Sequence, residues 1–420
     1  MQLLSKLEGH QDIVNAAIII PGEDGVISIS EDKTIRIWLK RDRGAYWPSV
    51  CHVLSSPASS MDYHSESKRL FVGMDNGYVS EFNVANDYNR IKLIKNFFAH
   101  QGRVKEVLYS PQTESLLSVG RDKNLVWFNS ENGNRIGSYM CKFACSSLQF
   151  DHQSGHAFVG DVNGQIEMIK LENNSFRTIT TLKGHSSIVR CLEWDSLNQL
   201  LFSGGSDKSI ICWDIGGKKG TAYELQGHNN VVTSLYFSHQ SRQILSSSED
   251  SMIVGWNMNC QRQETPEWAE SDFCQLCNRP FFWNVRAMYD QKTIGFRQHH
   301  CRLCGKAICD QCSPNRSTLP KLGYEFPVRL CTECYPTKVQ DSDRVSLAKF
   351  YESKHCVNHM SVDEPNKLMV TSGFDRVIKK TERILLWILS NISAIENCFS
   401  KYNSTIIVTS QLRLIALNRL

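Results

Sequence analysis

The segment that decides the fold is GHSSIVRCLEWDSLNQLLFSGGSDKSIICWD, residues 184–214. Its landmarks are His185, Asp207 and Trp213, with His-to-Asp and His-to-Trp separations of 22 and 28 residues. The same two separations recur at His228, Asp250 and Trp256 and again at His10, Asp32 and Trp38. Self-similarity with a period in the low forties is typical of a β-propeller, in which each repeat supplies one four-stranded blade. We therefore predict an all-β fold.

Weaker units fill the gaps between these repeats. One unit is marked by His100 and Asp122, with Phe128 at the Trp position. A second spans Phe71–Phe82, with Asn76 at the Asp position, and a third spans Phe158–Ile169, with Asn163 at the Asp position. Six units thus occupy residues 1–260, and His355 with Asp375 marks a seventh, imperfect unit in residues 344–388. We predict a seven-bladed propeller. The units resemble WD repeats, and that resemblance implies that Leu3–Glu8 completes the last blade, which leaves no open sheet edge.

The repeated histidines are predicted to be scaffold. The His, the turn Asp and the Trp indole would form a buried hydrogen-bonded set in each blade, with Ser203 or Ser246 as a fourth member. A catalytic histidine does not recur once per blade, so the repetition itself argues for a structural role.

Eight of the sixteen cysteines lie within 61 residues and form four CxxC pairs. The pairs are Cys274/Cys277, Cys301/Cys304, Cys309/Cys312 and Cys331/Cys334. Each CxxC turn offers two thiolates, so four pairs make two tetrahedral zinc sites with no ligand left over. In a reducing compartment such pairs indicate metal ligands rather than disulfides. The cationic run Arg297–Arg302 is built onto the second pair, which predicts a zinc module that binds an anion.

Several motifs in this window resemble those of a known family. Residues 297–305, RQHHCRLCG, are similar to the basic core motif of FYVE domains. Trp268 with Asp272 is similar to the W-x-x-D element of that family, and Arg329-Leu330-Cys331 to its R-V-C element. The repeats resemble the WD-repeat family over residues 1–260. The combination resembles the WD repeat and FYVE domain-containing family, with a FYVE zinc finger at 264–340 inserted between blades six and seven.

The resemblance implies a ligand and a set of contacts. FYVE domains bind phosphatidylinositol 3-phosphate on endosomal membranes, and arginine forks suit bidentate phosphate contacts. The implied lipid-binding residues are Trp268, Asp272, Arg297, His299, His300, Arg302 and Arg329. The implied zinc pairing is crossed, with one ion on Cys274, Cys277, Cys309 and Cys312 and the other on Cys301, Cys304, Cys331 and Cys334. Ile294 and Phe296 would enter the bilayer; the other interpretation of Phe296 is a core residue.

The sequence departs from the family pattern at three places. Gln298 stands where the motif has a basic residue, and Ser271 stands where W-x-x-D has its Asp, which displaces Asp272 by one position. After Lys379 the repeat register is lost. An alternative splice form or a mis-spliced gene model would produce a divergent tail at 389–420, and a degenerate blade is the other interpretation.

Composition limits the function. A net charge of +4 over 420 residues does not indicate a nucleic-acid binder, and no nucleophile–base–acid constellation is present. The first ten residues lack an apolar run, and the longest apolar stretch, Ile384–Leu389, is far below the roughly 20 residues of a membrane-spanning helix. We therefore expect a cytoplasmic protein with at most a peripheral membrane contact, and the resemblance to FYVE domains implies that this contact is with early endosomes.

The predicted function is a non-enzymatic adaptor. Its zinc finger would bind phosphatidylinositol 3-phosphate, and its propeller would present surfaces to protein partners, with a dimer or such a partner supplying a second membrane contact. Two alternatives remain open. One is a RING-like ubiquitin ligase, although RING domains usually use a His ligand, and the other is a protein-interaction zinc module that binds no lipid.

Overall fold

The chain forms a ring of seven β-sheets with a zinc domain inserted. The computed structural model describes residues 2–40, 44–172, 175–217, 222–260, 262–338 and 344–382. Within these ranges the propeller strands form seven four-stranded antiparallel blades. The predicted fold, a seven-bladed propeller with a small zinc domain, is confirmed. The predicted divergent tail at 389–420 lies outside the described residues.

The strands follow one another in chain order, four to a blade. Blades one to three are β2 Val14–Ile19, β3 Gly25–Ser30, β4 Thr34–Lys40 and β5 Tyr46–Val53; β6 Ala58–His64, β7 Arg69–Met74, β8 Tyr78–Val84 and β9 Ile91–Phe98; and β10 Val104–Ser110, β11 Ser115–Gly120, β12 Asn124–Asn129 and β13 Arg135–Met140. Blades four and five are β14 Cys145–Asp151, β15 His156–Asp161, β16 Gln165–Leu171 and β17 Phe176–Lys183, then β18 Val189–Asp195, β19 Leu200–Gly205, β20 Ser209–Asp214 and β21 Ala222–Gln226. Blade six is β22 Val232–Ser238, β23 Gln243–Ser248, β24 Met252–Asn257 and β29 Ala348–Glu352, and blade seven is β30 Val357–Asp363, β31 Leu368–Gly373, β32 Val377–Glu382 and β1 Gln2–Glu8.

The position of a strand in its blade is reflected in its sequence. The second strands lie between two neighbours and between two blades, so they are buried on both faces and largely apolar, as in β3 and β19. The fourth strands form the outer rim, where β5 and β13 alternate between half-buried and exposed side chains.

Each complete repeat is fixed by a buried polar set. In blade five the Trp213 indole donates to Ser203 Oγ over 2.8 Å, and the same hydroxyl lies 2.8 Å from His185 Nε2. The other ring nitrogen, Nδ1, lies 3.0 Å from Asp207. Burial alone would raise the pKa of Asp207, but the hydrogen bond and charge of His185, together with the hydrogen bonds from Ser186 and Ser209, outweigh it and lower that pKa to about 2. The predicted fourth member is thus confirmed as the serine that joins the histidine to the indole.

Two blades carry incomplete versions of this set. Blade three keeps His100, Ser118 and Asp122 but has Phe128 in place of the indole. In blade seven His355 lies 2.9 Å from Thr371 Oγ1 and 3.2 Å from Asp375, and Thr381 stands at the Trp position. These sets keep the His–Asp contact but lack the tryptophan indole that donates to the hydroxyl group in the complete sets.

The ring closes between the two ends of the described chain. Strand β1 pairs antiparallel with β32, from Gln2 opposite Glu382 to Glu8 opposite Val377, which confirms the predicted closure. Strand β32 runs through the point where the apolar pattern breaks. There Lys379 Nζ donates to the carbonyls of Ser353 and Lys354, so the buried ammonium has partners.

The insertion point is one strand earlier than the predicted domain limits imply. Strand β24 is the third of blade six, the zinc domain follows it, and β29 then returns to pair with β24 as the fourth strand. Residues 344–388 were expected to supply blade seven, completed by Leu3–Glu8, but β29 belongs to blade six. The reason is that each repeat begins with the outer strand of the preceding blade.

The zinc domain, residues 264–338 of the described chain, is small and irregular. Its elements are α1 Val285–Gln291, β25 His299–His300, β26 Ala307–Ile308, β27 Asn315–Leu319, a 3₁₀ helix Pro320–Leu322, β28 Tyr324–Leu330 and α2 Cys334–Lys338. None of the helices in the described ranges is long and apolar enough to span a membrane.

The β27–β28 hairpin of the zinc domain extends the sheet of blade five. Gln226 in β21 pairs parallel with Tyr324 in β28, and the Gln226 amide donates to the Gly323 carbonyl over 2.8 Å. Gly323 has φ +86°, and a Cβ there would lie 1.8 Å from the Glu224 carbonyl oxygen. Only glycine allows this approach, and the zinc domain therefore packs directly against the propeller.

Candidate metal centres and anion pocket

The eight cysteines converge as two separate groups of four. Cys274, Cys277, Cys309 and Cys312 form one group, and Cys301, Cys304, Cys331 and Cys334 form the other. In each group all sulfur atoms lie within 4.8 Å of one another. The groups are those that the crossed pairing implies, because each joins two CxxC turns that are not adjacent in sequence.

The surroundings of the sulfur atoms suit zinc thiolates. The Cys309 amide donates to Cys274 Sγ, and the Cys331 amide donates to Cys301 Sγ, each over 3.4 Å. Such N–H···S bonds stabilise the negative charge of a thiolate ligand. The cysteines also form much of the domain's buried cluster, so a small apolar core depends on them. Four sulfur donors in a closed group fit a structural zinc ion, and the chain has two such sites.

A pocket of about 440 Å³ lies where the zinc domain meets the propeller, beside the second zinc group, which is Cys301, Cys304, Cys331 and Cys334. Its lining residues are Gln226, Trp268, Gln298, His299, His300, Arg302, Arg316, Pro327, Val328 and Arg329. Three arginines and two histidines therefore face one space, and no carboxylate is among the described lining residues. This composition favours an anionic ligand.

One wall of the pocket is a stack of three side chains. The rings of Trp268 and His300 stack at 5.0 Å between centroids, and the Arg302 guanidinium lies 4.3 Å from the centroid of Trp268. His300 Nε2 lies 3.1 Å from the Ala269 carbonyl oxygen, which fixes the imidazole. The stack holds the guanidinium in place without neutralising its charge, because a ring face attracts a cation but carries no net charge.

Two further lining residues, His299 and Arg329, belong to an ionic cluster around Asp310, which is not itself among the lining residues. Arg329 donates to Asp310 Oδ1 over 2.8 Å and to Ser313 Oγ over 3.0 Å, and His299 Nε2 lies 3.0 Å from the same carboxylate oxygen. Burial, followed by the nearby Arg329 charge, lowers the pKa of His299. Burial would raise the pKa of Asp310, but His299 and Arg329 outweigh it and lower that pKa. Arg329 is therefore held in a fixed direction by an acid at the pocket rim.

Two of the seven predicted lipid-binding residues do not line the pocket. Asp272 accepts a hydrogen bond from the Trp283 indole over 2.8 Å instead, because the extra residue before it displaces its side chain from the expected position. Arg297 is exposed and lies outside the lining set. The structure brings together Trp268 and the remaining four, and their contacts with a lipid stay a prediction.

The two predicted membrane-insertion residues differ in environment. Ile294 is 84% exposed, as expected. Phe296 packs against the apolar cluster of the zinc domain, and its backbone bonds to Pro280 and Phe282, so the alternative interpretation as a core residue fits better. Other exposed apolar side chains precede Ile294 in sequence: Phe282, Trp283, Val285 and Tyr289.

Sequence reasoning missed two polar members of the pocket, Arg316 and Gln226. Arg316 lies in β27 directly opposite Arg329 in β28. A hairpin between Cys312 and Cys331 was predictable in principle, but its register was not. Gln226 belongs to a WD repeat and carries no local signal, since only the docking of the two domains brings it to the pocket.

Comparisons with known proteins match both parts of the chain. The family model described as "FYVE zinc finger" matches residues 266–340, and "WD domain, G-beta repeat" matches residues 1–38, 176–214 and 220–257. Human WD repeat and FYVE domain-containing protein 1 is 58% identical over 90% of this chain and 92% of its own length. Human WD repeat and FYVE domain-containing protein 2 is 54% identical over 90% of this chain and 94% of its own length. The Caenorhabditis elegans protein of the same name is 39% identical over 90% of this chain and 91% of its own length.

A solved structure supports the fold independently. The crystal structure of the WD40 beta propeller domain of Doa1 matches with a TM-score of 0.61 over 91% of this chain and 97% of that one, at 14% identity. At that identity the likeness concerns the fold alone. The sequence identities, the closed propeller and the paired zinc groups agree, and the chain belongs to the WD repeat and FYVE domain-containing protein family.

Proposed function

We propose that this protein is a non-enzymatic adaptor that binds phosphatidylinositol 3-phosphate on early endosomes and presents its propeller to protein partners. The observation that carries the proposal is the pocket beside the second zinc group, in which Arg302, Arg316 and Arg329 face one space without a lining carboxylate. FYVE domains as a family bind phosphoinositides, and the family model matches here.

The pocket chemistry suits a phosphate monoester. Such a group carries close to two negative charges at neutral pH and accepts several hydrogen bonds. Arg302 and Arg329 offer planar forks that bind two phosphate oxygens at once, and both guanidiniums are held in place by neighbours, Trp268 and Asp310. Pre-positioned donors lose little conformational entropy on binding, which favours affinity.

An exposed apolar surface lies on the same domain as the pocket. Tyr289 and Ile294 are each 84% exposed, Val285 is 68% exposed, and Phe282 and Trp283 are more than half exposed. Soluble proteins rarely leave so many large apolar side chains together in solvent without a partner. We assign this surface to contact with the bilayer interface, with Ile294 but not Phe296 as an inserted residue. Reversible membrane binding then combines headgroup contacts with a modest apolar contribution.

The propeller supports the adaptor role through its construction. Its repeated histidines are buried and hydrogen-bonded to serine and aspartate, so they are occupied by structural contacts. WD propellers commonly serve as platforms for proteins, and a fold of this kind does not by itself identify the partner.

The test is selective binding of the full chain to vesicles. Arg302→Ala should reduce pelleting with phosphatidylinositol 3-phosphate vesicles at least tenfold, because a charge-assisted bidentate contact is lost. Zinc content measured by mass spectrometry should stay at two ions per chain. The matched control is Arg135→Ala, an exposed arginine in blade three, which should bind as the wild type does.

Two results would contradict the proposal. The first is a wild-type chain that pellets equally with the 3-, 4- and 5-phosphate isomers. The second is an Arg302→Ala chain that has lost zinc, since the arginine would then hold the fold rather than the ligand.

A further inference from the structure

The anion pocket is built by both domains. Gln226 is the one lining residue contributed by the propeller among the described residues, and it lies at the end of β21 where that strand pairs with β28. Its backbone amide is tied to Gly323 over 2.8 Å, and its side-chain amide donates to Glu224 over 2.7 Å. The side-chain carbonyl oxygen of Gln226 remains as an acceptor at the pocket.

Arg316 is a pocket arginine whose guanidinium has neither a counter-charge nor an aromatic ring beside it among the described residues. It is exposed, and no hydrogen bond or ion pair joins its side chain to any residue in the described part of the chain, whereas Arg329 is paired with Asp310. Arg316 and Arg329 are directly opposite in the antiparallel β27–β28 pair, where side chains start about 5 Å apart. Like charges on such neighbouring side chains repel each other, and an anion bound between the two guanidiniums would offset the repulsion.

We propose that Arg316 and the propeller residue Gln226 are specificity-determining contacts of the headgroup, so that the propeller is part of the lipid-binding site. Arg316 binds a phosphate oxygen, and Gln226 accepts a hydrogen bond from an inositol hydroxyl. This inference rests on the proposed function, because it concerns the same pocket. It differs in its consequence: the headgroup is recognised at the junction of two domains and not by the zinc finger alone.

The geometry of the junction makes this possible. Gly323 allows β28 to approach the Glu224 carbonyl closely. The ring centroids of Phe326 in the hairpin and Phe350 in β29 are 6.1 Å apart. Glu325 in the same strand accepts from Ser346 Oγ over 2.8 Å. Contacts to both β21 and the segment before β29 fix the hairpin, and with it the direction of Arg316 relative to Gln226.

The first experiment compares charge variants in the full chain. Arg316→Gln should weaken binding to vesicles of phosphatidylcholine with phosphatidylinositol 3-phosphate roughly tenfold, as expected for one charge-assisted hydrogen bond. Arg135→Gln in blade three removes the same charge away from the pocket and should change binding less than twofold. Soluble inositol 1,3-bisphosphate, measured by calorimetry, should show the same loss for Arg316→Gln.

The two ligand forms separate a headgroup contact from general attraction to a membrane. If Arg316→Gln weakens vesicle binding but leaves the affinity for the soluble headgroup unchanged, Arg316 merely faces an anionic surface and the inference is wrong. If both affinities fall together, the pocket assignment stands.

The second experiment concerns Gln226. Gln226→Ala should weaken headgroup binding roughly fivefold, since one neutral hydrogen bond is lost. Gln226→Glu keeps the size of the side chain but places a carboxylate beside the phosphate, and it should weaken binding more than Gln226→Ala does. Because Gln226 also donates to Glu224, thermal unfolding of each variant is the second readout. A purely structural role predicts that Gln226→Ala lowers the unfolding temperature together with headgroup binding, whereas a headgroup contact predicts weaker binding at an unchanged unfolding temperature.

The outcomes also separate this inference from the function on which it rests. Selective wild-type binding that is lost in Arg302→Ala but unchanged in Arg316→Gln and both Gln226 variants would overturn the inference and leave the function intact. A wild-type chain without isomer selectivity would overturn both.

Discussion

At the scale of single residues, the blades depend on one hydroxyl that serves two neighbours. Ser203 Oγ accepts from the Trp213 indole and lies within hydrogen-bonding distance of His185. All three side chains are buried. In blade three the equivalent hydroxyl, that of Ser118, contacts His100 but accepts no hydrogen bond from an indole, because Phe128 replaces the tryptophan. The two blades thus offer a comparison within one molecule.

We predict that Ser203→Ala destabilises the protein about twice as much as Ser118→Ala. Each buried polar group left without a partner costs about 1–3 kcal/mol, and Ser203→Ala leaves both the indole N–H and the imidazole nitrogen unpaired. Ser118→Ala leaves only the imidazole nitrogen unpaired. Urea unfolding of the two variants, followed by tryptophan fluorescence with zinc present, measures the difference. Equal losses would mean that the indole hydrogen bond contributes no net stability.

The contrast between cysteines and arginines shows what sequence can predict at this scale. The eight zinc ligands were found because the CxxC spacing is a local property that the sequence displays. Arg316 was not found, since its role depends on which residue of β28 lies opposite it. Asp272 was predicted at the pocket from a motif one residue longer than the family's, and that added residue moves its carboxylate to Trp283.

At the scale of elements, the β27–β28 hairpin is the joint between the domains. It adds two strands to blade five, so that the sheet there has six strands in the order β18-β19-β20-β21-β28-β27. The zinc domain is inserted in blade six but docks on blade five. This docking could not be read from the sequence, because the repeat pattern gives the strands of each blade but not the neighbours of its outer edge.

Gly323→Ala should loosen this joint. The substitution places a Cβ 1.8 Å from the Glu224 carbonyl oxygen, and backbone cannot move aside as a flexible side chain can. We expect faster hydrogen exchange at the Gln226 amide and weaker vesicle binding, with zinc content unchanged. The measurement is hydrogen–deuterium exchange of the full chain.

The control for that variant is Gly22→Ala. Gly22 has φ +77°, close to the +86° of Gly323, but a Cβ there meets nothing within 4 Å. It should show only the cost of a positive φ, about 1 kcal/mol. If both variants raise exchange at Gln226 equally, the effect is general destabilisation and the joint is not specific.

At the scale of the whole molecule, the ring is held shut by its first strand. Leu7 of β1 is buried in a cluster with Val370 and Ile378 of blade seven and Val14 of blade one. Leu3, four residues earlier in the same strand, is 46% exposed. The closure was predictable from the resemblance to WD repeats, because in that family the first strand of the chain commonly completes the last blade.

Leu7→Asp should open the ring, whereas Leu3→Asp should not. A buried unpaired carboxylate costs several kcal/mol, so we expect Leu7→Asp to lower the unfolding free energy by about 4 kcal/mol or more. Leu3→Asp should change it by about 0.5 kcal/mol or less. Thermal unfolding and size-exclusion chromatography check this, because an open β32 edge also promotes self-association. A Leu7→Asp chain that is as stable and monomeric as Leu3→Asp would show that the first strand does not hold the ring.

The closure also sets an order of events during synthesis. Strand β1 leaves the ribosome first, but its partner β32 ends at Glu382, about 380 residues later. At about 5–20 residues per second, β1 waits roughly 20–75 s for that partner. The zinc domain is complete before β32 exists, so it can take up metal and cover the edge of β21 while the ring is still open. A nascent chain that stalls between α2 and β32 would therefore carry a finished zinc finger on an unfinished propeller.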